Sequence, residues 1–281
     1  MAQSIEYQDQ SKGPLVIIGG AEDRDEDCTI LREFVRLAGG TKAHIAVLTA
    51  ATAYFEETGA EYDRVFTQLG AAAVDVVHTQ EPKDANDPRL LEIVADATGV
   101  FFTGGDQSRV IRVVQDSLLE DLLHKRHREG VVIGGTSAGA AIMPEVMIAE
   151  GDSTTHPYLN AVEMSQGMGF LTQVLVDQHF AQRGRLGRLL TALLLEPSVL
   201  GLGIDENTAV IVQGDTLEVI GEGAATVVDE SGASHNNLSQ LLRDEAMAVF
   251  GVRLHILPHG YRFNLKTRQP STPADSLIPE H

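Results

Sequence analysis

A serine lies in a glycine-rich stretch of small residues whose spacing suits a nucleophile. Residues 134–141 read GGTSAGAA, so Ser137 has a glycine two residues before it and another two residues after it. The apolar residues 131–133 predict a buried strand, and the alanines after the serine predict the start of a helix. A sharp strand-to-helix turn exposes the hydroxyl and directs the Ala138 N–H toward a developing oxyanion. The same stretch would also suit a phosphate cradle or a close packing contact.

A serine nucleophile needs a base and an acid that orients the base. Among the ten histidines, only His179 follows a predicted strand at the sheet edge where Ser137 is expected. Glu206 follows the next predicted strand and is the natural acid, with Asp205 as a competing choice. Without a role in catalysis, His179 would be a half-exposed histidine and Glu206 a hydrogen-bonded turn carboxylate.

The order serine, histidine, acid differs from that of α/β-hydrolases, which run serine, acid, histidine. That second arrangement would use His255 or His259 as the base and Asp177 or Glu206 as the acid. We rank it lower because a histidine from the irregular C-terminal part would have to reach back to the site. In either arrangement, the backbone at residues 104–105, and Gly105 in particular, is the expected second oxyanion donor.

Apolar strands alternate with helices through the first half of the chain, which predicts a doubly wound, mostly parallel α/β sheet. Functional loops then lie at the carboxyl ends of the strands, where Ser137, His179 and Glu206 are expected. Residues 209–228 predict antiparallel hairpins, and residues 252–257 an edge strand. The predicted strands and helices of the first half are strands 14–18, 44–49, 73–78 and 99–103 and helices 21–38, 55–69, 89–97 and 107–128.

The rest of the chain predicts less regular structure. Residues 145–169 look like an irregular flap beside the site. A further helix is expected at about 182–195, and a short one at 238–248. We expect one domain over residues 1–281, with mobile tails at residues 1–13 and from about residue 267 onward.

Composition excludes several classes of function. The 281 residues include 40 acidic and 21 basic ones, for a formal charge of −19, which argues against nucleic-acid or anionic-membrane partners. Cys28 is the only cysteine, so no disulfide within the chain is possible. The polar N-terminus and the lack of a long apolar run predict a cytoplasmic protein. A metal site at His124 and His127 is less plausible than a solvated helix end, and residues 19–20 lack the Gly-x-Gly-x-x-Gly spacing, so we expect no cofactor.

Three arginines lie at the start of the predicted helix 182–195. Cations there oppose the helix macrodipole unless an anion lies opposite them. Arg183, Arg185 and Arg188 therefore indicate either a bound anionic ligand or structural ion pairs.

Four motifs occur in a characteristic order and spacing: GGDQ at 104–107, the serine stretch, DQHF at 177–180 followed by the three arginines, and GIDENTA at 203–209. Together they resemble the cyanophycinases, serine peptidases related to the aspartyl dipeptidase peptidase E, which share a class I glutamine-amidotransferase-like α/β fold. The resemblance spans about residues 19–212. No motif could be aligned over residues 150–166.

The resemblance implies Ser137 as nucleophile, His179 as base and Glu206 as acid. It implies as substrate-binding residues Gln107, Asp177, Gln178, Arg183, Arg185 and Arg188. The family substrate is cyanophycin, a poly-aspartate with arginine on each β-carboxyl, which is cut to β-aspartyl-arginine dipeptides. A homodimer is also implied. A peptidase E-like aspartyl or isoaspartyl dipeptidase, or a catalytically idle ligand-binding member of the fold, remain alternatives, and the groups that bind the substrate arginine stay open.

Overall fold

The parallel strands predicted in the first half of the chain form the centre of a large sheet. A computed structural model describes residues 12–153, 156–197, 199–241 and 245–273. Its α-helices are α1 (Thr29–Leu37), α2 (Phe55–Gln68), α3 (Pro88–Asp96), α4 (Gln107–Val114), α5 (Leu118–Arg128), α6 (Ala138–Ala141) and α7 (Leu186–Leu195). Its strands are β1 (Leu15–Ile18), β2 (His44–Leu48), β3 (Ala73–Val77), β4 (Gly99–Phe102), β5 (Val132–Thr136), β6 (Val146–Gly151), β7 (Val162–Gln166), β8 (Val174–Gln178), β9 (Leu200–Ile204), β10 (Thr208–Gln213), β11 (Thr216–Gly221), β12 (Ala224–Asp229), β13 (His235–Asn236), β14 (Val249–Phe250), β15 (Arg253–Pro258), β16 (Arg262–Asn264) and β17 (Gln269–Ser271).

The main sheet has nine strands in the order β17-β16-β11-β10-β1-β5-β4-β2-β3. Strands β1, β5, β4, β2 and β3 run parallel. The first four are almost fully buried and largely apolar, which suits a sheet covered on both faces, whereas β3 at the edge is mostly half-exposed. Beyond β1, the sheet continues antiparallel through β10, β11, β16 and β17. The α/β fold with a parallel centre and antiparallel C-terminal strands, as predicted from the sequence, is confirmed.

Strands β8 and β9 belong to a second sheet, which the sequence did not predict. This sheet has the order β15-β12-β9-β8, with β8 and β9 parallel to each other. The free edge of β1 is taken by β10, whose Val210 pairs with Ile17, so β8 and β9 cannot extend the parallel strands. Instead, apolar residues of β8 and β9 share one core with the first sheet, as Val176 and Leu202 do with Ile133.

The main sheet is covered on both faces. On one face, α1 and α2 pack an aromatic cluster, in which Phe34 and Phe66 each lie within 5.5 Å of Phe101, ring centre to ring centre. Helices α3, α4 and α5 and the second sheet cover the other face. Helix α7 packs against the outer side of the second sheet through Leu189 and Leu193. The carboxyl ends of β1, β5 and β4 are left at one edge, where the candidate site lies.

Three predicted helices differ at their ends. Helix α1 begins at Thr29, not near residue 21, because the Asp23 carboxylate accepts hydrogen bonds from the N–H groups of Asp25, Glu26 and Cys28 and closes a turn there. The helix predicted over 107–128 is two helices, since the backbone turns at Asp116, which has φ +58°. Helix α7 begins at Leu186, after a turn over residues 180–185.

Two stretches are more ordered than predicted. The flap expected over 145–169 contains the antiparallel hairpin of β6 and β7, called the flap hairpin below. Residues 269–271 form β17, where a mobile tail was expected. The helix predicted over 238–248 is wrong, because residues 238–240 form a single 3₁₀ turn and Ala246 forms an isolated β-bridge with Tyr158. Residues 1–11, 242–244 and 274–281 lie outside the described part of the chain.

Candidate active site

Ser137 lies between β5 and α6 in a strained turn. Its φ is +53° and its ψ is −108°, a conformation that non-glycine residues rarely adopt. A Cβ on Gly135 would lie 2.3 Å from the carbonyl oxygen of Gly139, so the turn closes only with a glycine at that position. The Ser137 carbonyl accepts the N–H groups of Ala140 and Ala141, which starts the helix. The serine side chain is thereby held at the carboxyl edge of the sheet.

Ser137, His179 and Glu206 come together in the structure. The Ser137 Oγ lies 3.0 Å from His179 Nε2, and His179 Nδ1 lies 2.6 Å from Glu206 Oε1. These are hydrogen-bonding distances for a nucleophile, a base and an orienting carboxylate. His179 follows β8 and Glu206 follows β9, as the sequence predicted.

The competing choices lie elsewhere. The Asp205 carboxylate accepts the N–H groups of Ala181 and Ala224, so it stabilises the turn behind His179. His255 lies on β15, where its ring packs on Phe263 at 5.4 Å. His259 accepts the N–H of Gly221. Neither histidine contacts Ser137, so the arrangement with a C-terminal base is wrong.

One short segment at the carboxyl end of β1 holds all three residues in place. The carbonyl of Ile18 accepts the N–H of Ser137, and the carbonyl of Gly19 accepts the N–H of His179. The carbonyl of Gly20 accepts the N–H of Asn207, the neighbour of Glu206. We call residues 18–20 the β1 carbonyl segment. It fixes the backbone of three crossover connections relative to one another.

His179 is arranged to be uncharged near neutral pH. Burial lowers the pKa of its imidazole, because the charged form loses hydration. The hydrogen bond to Glu206 opposes this shift, and the nearby positive charges of Arg183 and Arg185 add to it. A neutral imidazole with Nδ1 donating to Glu206 leaves Nε2 free to accept the serine proton.

Two backbone N–H groups are candidates for an oxyanion hole. Ala138 is the first residue of α6, so its N–H has no partner within the helix. Gly105 has φ +144°, and a Cβ there would lie 2.2 Å from the Ala51 carbonyl oxygen. A Cβ on the preceding Gly104 would lie 3.4 Å from the Ser137 Cβ, which shows how closely this loop approaches the serine. Within the described residues, neither the Ala138 nor the Gly105 N–H donates a hydrogen bond.

Asp177 supplies an anion for two of the three arginines near the start of α7. Arg188 Nε lies 2.7 Å from Asp177 Oδ2, and Arg185 Nη1 lies 3.3 Å from Asp177 Oδ1. All three side chains are buried, and burial lowers the pKa of Arg185 to about 10. Of the two possibilities that the sequence left open for Arg185 and Arg188, the structure shows ion pairs within the chain, because the chain turns after β8 and brings the start of α7 back over Asp177.

The remaining predicted binding residues differ in what they contact. Gln107 Nε2 donates to the carbonyls of Ile148 and Ala149, so it fastens the flap hairpin to the start of α4. Gln178 is buried, and its Oε1 has no hydrogen-bond partner among the described residues. Arg183 is exposed, next to His179, and forms no ion pair within that same part of the chain. Among Gln107, Gln178 and Arg183, the last two thus have groups free for a ligand.

Sequence reasoning missed Glu22. The prediction placed it in a helix start, whereas its side chain is buried and accepts hydrogen bonds from the hydroxyls of Tyr62 and Thr136. Its position two residues after the β1 carbonyl segment, beyond a strand's carboxyl end, was the available signal.

Within the residues that the structure describes, neither a cluster of metal ligands nor a membrane-spanning helix is present. No group of three or more His, Cys, Asp or Glu side chains within the described ranges could hold a metal ion. His124 and His127 both pack on Phe170, and His127 is hydrogen-bonded to the Gly13 carbonyl. None of the helices in the described part of the chain combines the length and apolar character needed to cross a membrane.

Several known proteins are similar to this chain. A protein named cyanophycinase from Geminocystis herdmanii is 40% identical over 261 residues, covering 92% of this chain and 96% of its own. Cyanophycinases of Trichormus variabilis and Synechococcus elongatus are 38% and 39% identical, covering 95% and 92% of this chain and 91% and 81% of their own.

Solved structures share the fold. A crystal structure of a peptidase from an acI-B1 Actinobacterium has a TM-score of 0.64 at 19% identity, covering 92% of this chain and all of its own. A putative peptidase E protein from Listeria monocytogenes has a TM-score of 0.52 at 12% identity, covering 75% of this chain and 98% of its own. The sequence model described as Peptidase family S51 matches residues 15–220. The chain therefore belongs to peptidase family S51.

Proposed function

We propose that this protein is a serine-type exopeptidase that hydrolyses cyanophycin to β-aspartyl-arginine dipeptides. The observation that carries the proposal is the hydrogen-bonded series Ser137, His179 and Glu206 in a chain similar to proteins named cyanophycinase over more than nine-tenths of its length. The peptidase E-like alternative is not favoured, because the similarity to the putative peptidase E structure extends to the fold alone.

The first half of the reaction forms an acyl-enzyme. His179 Nε2 accepts the Ser137 hydroxyl proton as Oγ attacks the substrate carbonyl carbon. The N–H groups of Ala138 and Gly105 stabilise the negative charge on the carbonyl oxygen, and Glu206 stabilises the imidazolium. The tetrahedral intermediate then collapses, and His179 gives its proton to the leaving amine.

The second half repeats these steps with water. His179 takes a proton from a water molecule, whose oxygen attacks the acyl carbon of the Ser137 ester. The intermediate breaks the bond to Oγ, and His179 returns the proton to the serine. All proton transfers use the one imidazole, which explains why its low pKa matters for the reaction.

Two groups are suited to bind substrate. Arg183 is an exposed cation next to the base, so its guanidinium can pair with a free carboxylate of the polymer. Gln178 Oε1 is a buried acceptor without a partner among the described residues, which suits an N–H or guanidinium donor. The buried ion pairs of Asp177 with Arg185 and Arg188 support the side of the site that carries Gln178 and Arg183. Gln107 supports the site by holding the flap hairpin.

The test is incubation of the purified protein with insoluble cyanophycin and identification of the soluble products by mass spectrometry. We expect β-aspartyl-arginine alone, with no longer soluble fragments. The Ser137→Ala variant should stay folded and hydrolyse the polymer at least 10³-fold more slowly. Ser108→Ala, a serine substitution on α4, is the matched control and should retain full activity. Retained turnover in Ser137→Ala, or an intact polymer with the unmodified protein, would contradict the proposal.

Finer features of the proposal have separate supports. We expect a single domain and a homodimer, on the family resemblance, and sedimentation of the purified protein tests the second. A cytoplasmic location fits the single cysteine, because paired cysteines are common only in oxidising compartments. Cell fractionation in the source organism tests it.

A further inference from the structure

Glu22 is a buried carboxylate at the junction of three elements around the proposed nucleophile. Its side chain is 1% exposed. Its Oε2 accepts the hydroxyl of Thr136 at 2.5 Å, and its Oε1 accepts the hydroxyl of Tyr62 on α2. Arg24 Nε lies 3.9 Å from Oε1, which makes an ion pair without a hydrogen bond. Burial of a carboxylate costs desolvation free energy even with these partners, so its location indicates a function.

Thr136 connects Glu22 to the catalytic serine. It is the last residue of β5, and Ser137, directly after it, has the strained φ of +53°. A strained residue keeps its conformation only when its surroundings hold it. Two bonds do so on the strand side: the Ser137 N–H donates to Ile18, and the Thr136 hydroxyl donates to Glu22. The second bond is charge-assisted and therefore the stronger kind.

Glu22 also follows the segment that contacts the base. It lies two residues after Gly20, where a Cβ would come within 2.5 Å of His179 Nε2. The carboxylate thus ties the chain beside the imidazole to the strand end that carries the serine. Its bond to Tyr62 points the other way, into the aromatic cluster between α2 and the sheet. Burial raises the pKa of the Tyr62 hydroxyl, which stays protonated as a donor.

We propose that Glu22 is a positioning residue that orients Ser137 through Thr136. The proposal rests on the proposed role of Ser137 as nucleophile. Glu22 does not touch the reacting atoms, so its removal should change the rate of acyl transfer and leave substrate affinity unchanged. The bond to Tyr62 contributes to stability alone.

Thr136→Val and Tyr62→Phe form a matched pair, because each removes one hydroxyl that donates to Glu22. We expect both to lower the thermal midpoint by similar amounts. Thr136→Val should also lower kcat on cyanophycin about tenfold, with KM within about twofold, since small displacements of a nucleophile cost rate. Tyr62→Phe should keep kcat within about twofold of the unmodified protein.

Conservative variants provide rescue. Thr136→Ser keeps the hydroxyl and should restore kcat. Glu22→Gln keeps the shape, and its amide can bond both hydroxyls, so it should retain kcat better than Glu22→Ala does. Equal kcat values for Thr136→Val and Tyr62→Phe, at any level, would overturn the proposal even if Glu22→Ala fails to fold.

A second readout separates this proposal from the choice of substrate. The rate of Ser137 modification by phenylmethanesulfonyl fluoride, followed by mass spectrometry, reports nucleophile geometry without cyanophycin. We expect Thr136→Val to react about tenfold more slowly than Tyr62→Phe. If the unmodified protein leaves cyanophycin intact but this difference is found, the proposed substrate is wrong and the positioning role stands. If Ser137 is modified at the same rate in both variants, the positioning role is wrong.

Discussion

Gly20→Ala is expected to disable the site by displacing the base. Gly20 has φ +100°, and a Cβ there would lie 2.3 Å from His179 Cε1 and 2.5 Å from Nε2. Ordinary contacts begin near 3.4 Å, so the imidazole or the segment must move by about 1 Å. The Ser137 Oγ to His179 Nε2 distance is 3.0 Å, which leaves no room for such a shift without losing the hydrogen bond.

A displacement of about 1 Å in a catalytic group costs on the order of 100-fold in rate, or about 2.7 kcal/mol of barrier. Backbone strain is a separate effect, because an alanine at positive φ costs roughly 1–2 kcal/mol of stability wherever it lies. Gly130→Ala isolates that effect: Gly130 has φ +97°, and a Cβ there would meet nothing within 4 Å. Both variants should therefore lose similar stability, and only Gly20→Ala should lose activity.

The assay compares initial rates of dipeptide release from cyanophycin, with urea unfolding of each variant measured at the same pH. Labelling of Ser137 by the sulfonyl fluoride gives the same comparison without the polymer. A Gly20→Ala protein that keeps kcat/KM within about threefold of the unmodified protein would refute the reasoning. Equal losses of activity in Gly20→Ala and Gly130→Ala would show that strain, and not contact with the imidazole, is responsible.

Three further predictions concern charge. Glu206→Gln should shift the acid limb of the kcat/KM profile to lower pH, because Glu206 raises the pKa of His179. Arg183→Ala should shift the same limb to higher pH, because Arg183 lowers that pKa. Asp177→Ala should cost about 3–5 kcal/mol in urea unfolding, because it leaves two buried guanidinium groups without their anion. Burial lowers the pKa of His127 to about 4, so the unfolded chain binds a proton that the folded one does not between pH 6.5 and 4. The free energy of unfolding should therefore decrease as the pH is lowered from 6.5 to 4, by at most about 3 kcal/mol. The His127→Gln variant should show a smaller decrease.

Each of these has a contrary outcome. Shifts of the acid limb in the same direction for Glu206→Gln and Arg183→Ala would contradict the electrostatic account of His179. Asp75 is the matched control for Asp177, because its ion pair with His44 is on the surface, and Asp75→Asn should cost under about 1 kcal/mol. Equal losses for the two aspartates would contradict the role given to burial. An unchanged pH dependence in His127→Gln would show that another group titrates.

The parallel centre of the fold could be predicted because buried strands are written as continuous apolar runs. The order in which strands pair cannot be predicted from the sequence of each strand alone. The first three residues of β8 are as apolar as β1 and β4, and only the return of β10 to the edge of β1 excludes β8 from the main sheet. The flap hairpin was missed for a local reason, since its register shifts between Ile148 and Glu150 and breaks the alternation of a regular strand.

The three proposed catalytic residues could be found because each follows an apolar strand, and the carboxyl ends of such strands meet. The ion pairs of Asp177 could not. They form because the chain turns after β8 and brings two arginines back to Asp177. Arg185 follows Asp177 by 8 positions and Arg188 by 11. A helix beginning at residue 182, as the sequence predicted, hides that turn. Glu22 was missed similarly, since an Asp23 turn looks like a helix start when only the acidic residues are seen.

The β1 carbonyl segment links catalysis to the order of protein synthesis. Residues 18–20 leave the ribosome early, whereas their partners at Ser137, His179 and Asn207 follow at intervals over nearly 190 further residues. A nascent chain shorter than about 207 residues lacks a partner for the last of these carbonyls, and the acid has not yet been made. Hydrolysis should therefore begin only after Glu206 and Asn207 have been synthesised, and amino-terminal fragments ending before Glu206 should be inert toward the polymer.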